Sequence, residues 1–259
     1  MHSLAQTNTI IGMPLDVPRH NKEDAFKRQT PLTPQTPVYP WPDKQIPGFK
    51  VKLVNTRNDR ETIDMLVNER FSSRGYAHPE ASKTGNILSL QATIENRVVG
   101  TLSVQFDAGE GLPLDKLYQF ELDSLRRRGA KLCQFTKLAI EKEVKSRSVL
   151  ASLFHLAEIW ALRVRQYNYI CIEVNPRHVA FYQRMLKFTV LSDVRDNQQV
   201  QAPSVLLGID LHYVARMIEI FGGKPELADT ERSFYPYLFS HEEEARLAAR
   251  MQGLSEQYK

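Results

Sequence analysis

The spacing of apolar side chains predicts alternating strands and helices from about residue 49 onward. Phe49–Val54 alternates apolar and polar residues, which is typical of a strand with one buried face. Ile87–Ile94 and Val98–Phe106 repeat that pattern around a short turn and predict a hairpin. Tyr169–Val174 is nearly all apolar and of strand length, so we expect it inside the sheet with both faces covered.

Helical spacing fills the segments between these strands. The strongest pattern is Val149–Tyr167, whose apolar residues recur every three or four positions. Three further helices are predicted at Lys116–Arg128, Arg177–Leu186 and His212–Phe221. Two more are predicted from their N-terminal capping pairs, Asn58 with Glu61 and Ser240 with Glu243. Further strands are predicted at Lys131–Ile140, Phe188–Val194 and Ser204–Ile209. Together these elements predict an α+β domain with a mixed sheet.

Proline divides the chain unevenly, since eight of its 14 prolines lie in residues 1–48. Gln29–Pro47 cannot form a helix, because each proline lacks a backbone donor and clashes with the preceding turn. The stretch is interpreted as a disordered leader, as an arm that packs through Val38, Tyr39 and Trp41, or, least favoured, as an SH3-type ligand. We therefore expect a proline-rich N-terminal arm (1–48), one domain (49–223) and a C-terminal helical tail (224–259).

The composition is that of an ordinary globular protein. The 259 residues are 42% hydrophobic and 25% charged, which excludes a fibrous or wholly disordered chain. No stretch approaches the roughly 18 uninterrupted apolar residues of a membrane span, and residues 1–30 show no apolar core of a secretory signal. Cys133 and Cys171 sit in strand patterns and are expected as buried free thiols in a reducing cytoplasm.

Positive charge is concentrated in one part of the sequence. The net charge is +4, but residues 126–147 alone carry eight basic side chains against two glutamates. Such a cluster steers an acidic partner to a docking site. For Arg126, Arg127 and Arg128 the alternative is a solvated helix end that the helix dipole favours. Nucleic acid is not the expected partner, since aromatic residues are not interleaved with the basic ones.

The block from Cys133 to Phe188 resembles the core of the GNAT acyltransferases. In that family an apolar triplet ends a strand and leads into an Arg-x-x-Gly-x-Gly loop, whose amides bind the pyrophosphate of coenzyme A at a helix N-terminus. Leu138, Ala139 and Ile140 stand at the triplet here, Lys145 at the arginine, and Ser148 and Leu150 at the two glycines. By this resemblance the triplet, Ser148 and the basic residues Lys142, Lys145 and Arg147 would bind the acyl donor.

The missing glycines change the expected donor. Glycine lets a phosphate approach the backbone closely, and the branched side chain of Leu150 is expected to occupy that space. An acyl carrier protein is acidic and presents its acyl group on 4′-phosphopantetheine, which has one phosphate and no nucleotide. We therefore predict an acyl-carrier-protein thioester as co-substrate, with acyl-CoA as the alternative and no bound cofactor.

Asn175–Phe188 resembles the Pro-x-His…Tyr…Gly-Phe segment of the long-chain N-acyl amino acid synthases, which are GNAT-fold relatives of the acyl-homoserine-lactone synthases. Lys187 stands where that family usually has glycine, and Val98–Val104 with Gly111–Pro113 resembles its hairpin strand and following loop. The likeness runs from about residue 51 to 223. It implies a GNAT-like mixed, mostly antiparallel central sheet flanked by helices, and transfer of a fatty acyl group to the amine of an amino acid.

The resemblance also implies roles for single residues. Tyr182 occupies the general-acid position near the leaving sulfur, with a core aromatic as its competing interpretation. A bulge around Leu138–Ile140 would aim a backbone N–H at the thioester carbonyl. Gln134 stands where the lactone synthases carry a glutamate and cannot accept a proton at neutral pH. Either Glu141, Glu143 or a water is therefore the expected base, or the enzyme differs from the pattern.

Other residue patterns leave alternatives open. Arg70 and Arg74 are candidates for the substrate carboxylate, because arginine binds carboxylates bidentately, and exposed helix charge is the alternative. No metal is expected, since the seven histidines are scattered, and His155 with Glu158 is interpreted as a polar edge of a packed helix. The missing glutamate and glycines also permit a non-catalytic module that binds acyl groups or carrier proteins.

Overall fold

The computed structural model describes residues 9–13, 48–54, 57–73, 75, 86–142, 144 and 146–256. The proline-rich stretch 14–47 lies outside the described residues, and so do the predicted contacts of Val38, Tyr39 and Trp41. Thr9–Met13 forms strand β1 and pairs antiparallel with the next strand. The N-terminal region therefore contributes an edge strand, which its proline-rich pattern did not predict.

One mixed sheet forms the centre of the fold. Its other strands are β2 (Phe49–Leu53), β3 (Ile87–Ile94), β4 (Arg97–Phe106), β5 (Leu132–Ile140), β6 (Tyr169–Val174), β7 (Thr189–Val190), β8 (Arg195–Asn197) and β9 (Ala202–Asp210). Their spatial order is β1-β2-β3-β4-β5-β6-β9-β7, with β8 paired to β9. Every described pair is antiparallel except β5–β6. The predicted α+β fold with a mostly antiparallel sheet is therefore confirmed.

Helices alternate with the strands as the sequence pattern predicted. The α-helices of the described chain are α1 (Arg57–Ser72), α2 (Asp115–Arg127), α3 (Arg147–Ile159), α4 (Val179–Leu186), α5 (Leu211–Phe221) and α6 (His241–Glu256). Trp160–Val164 continues α3 as a π-helical turn. Short 3-10 helices lie at Pro176–His178, Pro225–Asp229 and Tyr235–Tyr237. None of the described helices is long and apolar enough to cross a membrane.

The helices cover the two faces of the sheet with cores of different size. The larger core lies under α3, α5 and α6 and includes Leu153, Trp160 and Met251, each at most 1% exposed. On the opposite face, α1 packs against β5 and α2 packs over β6 and β9. Cys133 and Cys171 are both buried and free, as predicted.

Local sequence explains most element boundaries. Glu95 and Asn96 both have positive φ, which is the conformation of a two-residue turn that matches the twist of a hairpin. Ser240 and Glu243 form the predicted capping box, in which Glu243 Oε2 accepts from Ser240 N at 2.9 Å and Ser240 Oγ accepts from Glu243 N at 3.3 Å.

One strand differs from the sequence prediction, and the C-terminal segment adds to the core. The strand expected over Phe188–Val194 is short, because Ser192 Oγ accepts the hydrogen bond of Leu206 N at 3.0 Å in place of a backbone carbonyl. The segment after Gly223 packs into the larger core, where Phe234 is fully buried. The C-terminal helix thereby becomes a layer of the same core.

Candidate functional site

Strands β5 and β6 begin as neighbours and then separate. They are parallel, and the paired residues are Leu132 with Tyr169, Cys133 with Ile170 and Gln134 with Cys171. Both strands continue beyond the last pair, so a gap opens between them inside the sheet. The gap forms part of a cleft of about 1130 Å³ that also reaches β4, β8, β9 and the loop before α2.

Strand alternation gives this cleft two unlike sides. Phe135 of β5 and Ile172 of β6 line it and belong to the larger apolar core under α3. Their neighbours Gln134 and Glu173 line it from the opposite face, on the side of α2. Gln105 of β4 is the cross-strand partner of Gln134 and lies on that same face. The cleft therefore joins an apolar side to a polar one.

A β-bulge interrupts β5 beside the gap. Lys137 and Leu138 together oppose the single residue Leu102 of β4, and an extra residue of this kind re-aims the backbone groups around it. Lys137 has a φ of +52°, and its Nζ donates to Asp64 Oδ1 of α1 at 2.9 Å. The bulge predicted around Leu138–Ile140 is thus present, about one residue earlier in the strand.

Tyr182 lies in the wall of the cleft, on the helix that follows β6. Asn175 Oδ1 accepts from Arg177 N at 3.2 Å, and Pro176 begins the turn that leads into α4. The ring of Tyr182 also contacts Phe181 and Phe188 edge-on, with centroid distances of 5.2 and 6.0 Å. Both interpretations of this residue, as a cleft group and as a packed aromatic, describe part of its surroundings.

Gln134 contributes an unpartnered acceptor to the polar side. The residue is 8% exposed, and its Oε1 has no hydrogen-bond partner in the part of the chain that the structure describes. An unmade hydrogen bond at a buried carbonyl costs about 1–3 kcal/mol. A ligand N–H would satisfy this oxygen, although an amide cannot take up a proton as a carboxylate does.

Glu141 and Arg70, which the sequence assigned to separate roles, contact each other. Glu141 Oε2 lies 3.3 Å from Arg70 Nη2 and 3.1 Å from Arg97 Nη2. Neither Glu141 nor Arg70 lines the cleft. Glu141 is thus engaged by two guanidinium groups away from the cleft, and Arg70 is already paired. Glu143, Arg74 and Lys145 lie outside the described residues.

The predicted donor triplet is divided between three environments. Leu138 lines the cleft. Ala139 is buried against α1. Ile140 packs over Gly100, where an added Cβ would come within 2.7 Å of its Cδ1. Only the first of the three side chains therefore reaches the cleft.

The N-terminus of α3 has a different arrangement from the one expected. Leu150 is 6% exposed and belongs to the larger core, so the expectation that its side chain fills the space before the helix was wrong. Its position, three residues before Leu153, places it on the buried face. Ser146 caps the helix, and its Oγ accepts from Val149 N at 3.3 Å. Ser148 is partly exposed in the first turn.

The basic cluster of the sequence splits into two groups. The nine residues of β5 span about 30 Å and separate Arg126–Lys131 from the residues around Lys142. Arg126 is bound by three aspartates, Asp107, Asp115 and Asp123, at 2.6 to 2.8 Å. Arg147 Nη1 donates to Tyr237 Oη at 2.8 Å, and Lys142 is exposed. A single basic patch is therefore absent from the described residues.

The sequence prediction did not include two residues with ionisable side chains that line the cleft, Glu173 and His178. Glu173 is the one charged residue in the apolar strand Tyr169–Val174, and this was the signal that could have identified it. His178 lies in the short turn before α4, where Arg177 Nε donates to its Nε2 at 3.2 Å.

A second polar group lies in the larger core, away from the polar side of the cleft. His155 and Glu158 of α3 meet Glu244 of α6, and each is at most 3% exposed. His155 Nε2 lies 3.9 Å from Glu158 Oε2 and 3.8 Å from Glu244 Oε2. The interpretation of His155 and Glu158 as a polar helix edge was wrong, because α6 covers them.

Burial and charge set the protonation of this cluster. Burial lowers the pKa of His155. Burial and the charge of Glu244 raise the pKa of Glu158 to about 8. Burial alone would raise the pKa of Glu244, but His155 and Arg163 outweigh it and lower the value. Glu158 and His155 are therefore neutral at pH 7, beside a charged Glu244 whose Oε1 accepts from Arg163 Nε at 2.7 Å.

The three side chains also have the composition of a metal site, but their hydrogen bonding does not fit one. His155 Nδ1 accepts from Phe239 N at 3.0 Å, so Nε2 carries the proton of the neutral ring. A histidine that binds a metal through Nε2 normally donates from Nδ1. The cluster is therefore a proton-bearing polar group inside the core.

The sequence model of the family "N-acyl amino acid synthase FeeM" matches residues 62–210, which is more than half of the chain. The chain belongs to the FeeM family of N-acyl amino acid synthases. It is an acyltransferase of GNAT fold, as the resemblance implied. The solved structure of FeeM from uncultured soil microbes is similar, with 26% identity and a TM-score of 0.59 over 63% of this chain and 90% of that one.

Two more distant structures also match the chain. An acyl-CoA N-acyltransferase from Pseudomonas aeruginosa has 13% identity and a TM-score of 0.44, covering 62% of this chain and 98% of that one. MesI, a CoA-dependent acyl-homoserine lactone synthase, has 13% identity and a TM-score of 0.45, covering 62% and 88%. A search of curated proteins gave no match.

Proposed function

We propose that the protein transfers a fatty acyl group from an acyl-carrier-protein thioester to the amine of an amino acid, which releases a thiol and an N-acyl amino acid. The observation that carries the proposal is the cleft between β5 and β6, where an apolar side and a polar side meet beside a bulge. The family match supports the same product class.

The apolar side provides a place for the acyl chain. Phe135 and Phe154 line the cleft and also a second cavity of about 30 Å³ behind it. Residues beyond Ile209 complete the walls of that cavity, among them Val214, Ile218 and Tyr235. The acyl chain lies in the cleft with the two phenylalanines at its inner end. Each CH₂ group that it buries there contributes about 0.8 kcal/mol to the free energy of binding.

The bulge and Tyr182 provide groups for the reacting thioester. A backbone N–H re-aimed at Lys137–Leu138 polarises the carbonyl oxygen, where negative charge develops during attack. Tyr182 donates a proton to the leaving sulfur from the wall of the cleft. Gln134 Oε1, which lacks a partner among the described residues, accepts from the N–H of the amine.

The start of α3 supports a carrier protein as donor. Ser146 already satisfies Val149 N, so the first turn has fewer free amides for the pyrophosphate of coenzyme A. Lys142 is exposed beside this turn and available to an acidic partner. A reducing cytoplasm, where carrier proteins and fatty acyl thioesters are made, also suits the two buried free thiols.

The test is a donor and acceptor screen with product analysis. The protein is incubated with palmitoyl-carrier protein, palmitoyl-CoA or acetyl-CoA and a mixture of the twenty amino acids, and products are identified by mass. We expect an N-palmitoyl amino acid from the carrier donor. Product from palmitoyl-CoA at an equal or higher rate would overturn the choice of donor.

Two further outcomes separate the acyltransferase from a binding module. Tight binding of palmitoyl-carrier protein with no amide product would overturn the proposed reaction. Lys142→Glu should weaken the use of the carrier donor, and the difference should shrink at high salt. Lys224→Glu, an exposed lysine outside the cleft, is the matched control and should leave carrier use unchanged.

A further inference from the structure

Glu173 of β6 lies at the gap between β5 and β6. The last parallel pair is Gln134 with Cys171, and two more residues along each strand lead to Thr136 and Glu173. Thr136 directly precedes the bulge at Lys137. Since residues two apart share a face of a strand, Glu173 lies on the polar side and across the gap from the bulge.

Asn197 fixes the orientation of this carboxylate. Its Nδ2 donates to Glu173 Oε1 at 2.6 Å, while its Oδ1 accepts from Gln199 N at 2.8 Å. The backbone N–H can only donate, so the amide oxygen must face Gln199 and the NH₂ group must face Glu173. Glu173 Oε2 has no donor among the described residues, which leaves that oxygen for a ligand in the cleft.

The other acidic residues of the cleft are differently placed. Asp115 accepts from both terminal nitrogens of Arg126 and from Leu112 N at 2.6 to 2.7 Å. Glu110 is exposed in the loop before α2. Glu173 is therefore the lining carboxylate that combines a strand position at the gap with an oxygen unpartnered among the described residues.

We infer that Glu173 accepts the protons of the attacking amine and that Asn197 is its positioning residue. This rests on the proposed function and supplies the base that Gln134 cannot provide. The substrate ammonium, the main form at neutral pH, loses one proton to solvent through Glu173. The nitrogen lone pair then forms the N–C bond to the thioester carbonyl, and Glu173 takes a second proton from that nitrogen.

The remaining steps balance the reaction. The C–S bond breaks, its electron pair stays on sulfur, and Tyr182 protonates the sulfur so that the thiol leaves. Glu173 returns its proton through water to Tyr182, and both groups regain their starting state. One neutral amine and one thioester have then become one amide and one thiol.

The experiment compares wild type with Glu173→Gln and Glu173→Asp, using palmitoyl-carrier protein and the amino acid that the wild type accepts. At pH 7 we expect kcat of Glu173→Gln to fall by about 10²- to 10⁴-fold, with the KM for the donor unchanged. Glu173→Asp keeps a carboxylate and should retain more activity. The deficit of Glu173→Gln should shrink as pH rises, because the substrate amine then deprotonates without help.

Hydroxylamine as acceptor separates proton transfer from a structural effect. It is a neutral nucleophile at pH 7 and needs only the second proton transfer, so the deficit of Glu173→Gln in thiol release should be smaller with this acceptor than with the amino acid. Asp196→Asn removes an exposed carboxylate next to Asn197 that does not line the cleft, and it should behave as wild type. Asn197→Ala should reproduce part of the kcat loss with the same recovery at high pH.

Three outcomes would overturn the inference. Wild-type kcat in Glu173→Gln, or a deficit that is equal at all pH values and with hydroxylamine, rules out proton acceptance by Glu173. If the wild type releases no thiol from any donor with any amine, the proposed function fails and the assigned base falls with it. The wild-type control thus distinguishes the two failures.

Discussion

Glu173 and Glu158 are two carboxyl groups on opposite sides of one sheet, and their surroundings differ in access. Glu173 lies in an open cleft, where Asn197 donates to one of its oxygens. Glu158 is 3% exposed, and neither of its oxygens has a hydrogen-bond partner among the described residues. Burial makes the second group keep its proton, whereas a group that exchanges protons in every cycle needs solvent and a fixed partner.

The largest expected effect on stability comes from disrupting the buried cluster of His155, Glu158 and Glu244. Glu244→Ala removes the buried, charged end of the ion pair with Arg163 and the carboxylate that faces the neutral His155. We expect the free energy of unfolding to fall by about 3 kcal/mol, as measured by urea denaturation. Glu242→Ala on the exposed face of α6 is the control, and an equal loss there would contradict this account.

The next effect concerns the cleft. Tyr182→Phe removes the proton donor but keeps the ring contacts with Phe181 and Phe188. We expect kcat to fall about 100-fold, while the urea midpoint stays close to that of the wild type. Tyr213→Phe, which does not line the cleft, should leave kcat unchanged. A large loss of stability in Tyr182→Phe with normal kcat would make the residue a core aromatic alone.

A pH series sharpens the contrast between the two carboxyl groups. The pKa of Glu158 is about 8 in the fold against 4.5 ordinarily. The folded state therefore holds a proton that the unfolded chain gives up, so the contribution of Glu158 to stability is complete below pH 4.5. It is lost as pH rises to 8, with a slope of at most about 1.4 kcal/mol per pH unit.

Glu158→Gln should remove this slope. Urea denaturation between pH 5 and 9 would show a flatter stability profile in the variant, most clearly between about pH 5 and 8. His155, whose pKa is lowered by burial, titrates in both proteins, so the difference between them isolates Glu158. Glu219→Gln, an exposed substitution on α5, should keep the wild-type profile, and a slope unchanged in Glu158→Gln would disprove the assignment.

The smallest effect concerns a third carboxyl group, Glu231, which lies near the surface with a partner. Lys187 ends α4 with a φ of +63°, and its Nζ lies 3.0 Å from Glu231 Oε1. Lys187→Gly removes strain of about 1 kcal/mol but loses an ion pair worth about 0.2–1 kcal/mol. We expect a change in unfolding free energy below about 1 kcal/mol.

The same variant should move one titration. Burial alone would raise the pKa of Glu231, but its hydrogen bonds with Lys187 and Ser233 outweigh burial and lower it. Loss of Lys187 should therefore raise this pKa, which an NMR titration of the carboxyl carbon can follow. An unchanged pKa would mean that Ser233 alone holds the carboxylate in its charged form.

Local patterns predicted the elements well and the site only in part. Tyr169–Val174 was placed with both bounds correct, because the pattern of a nearly all-apolar strand lies in its own residues. Tyr182 lies in the wall of the cleft because its helix directly follows that strand. The face of Leu150 was misjudged because the loop pattern was applied without the helical spacing of Leu153.

Contacts between segments far apart in the chain could not be predicted from the sequence. Glu173 gains its position from where the register of β5 and β6 ends, and no local pattern encodes that point. His155 and Glu244 are 89 positions apart, and only the packing of α6 on α3 brings them together. The pairing of Arg70 with Glu141 is likewise a contact between distant segments.

The short seam between β5 and β6 has a consequence for hydrogen exchange. Beyond Gln134 and Cys171, amides that point into the gap have no neighbouring strand to hold them, although they lie in the middle of the sheet. Their hydrogens should exchange with solvent without any unfolding, as at a sheet border. The β3–β4 hairpin, which is paired along its length, should exchange only through larger openings.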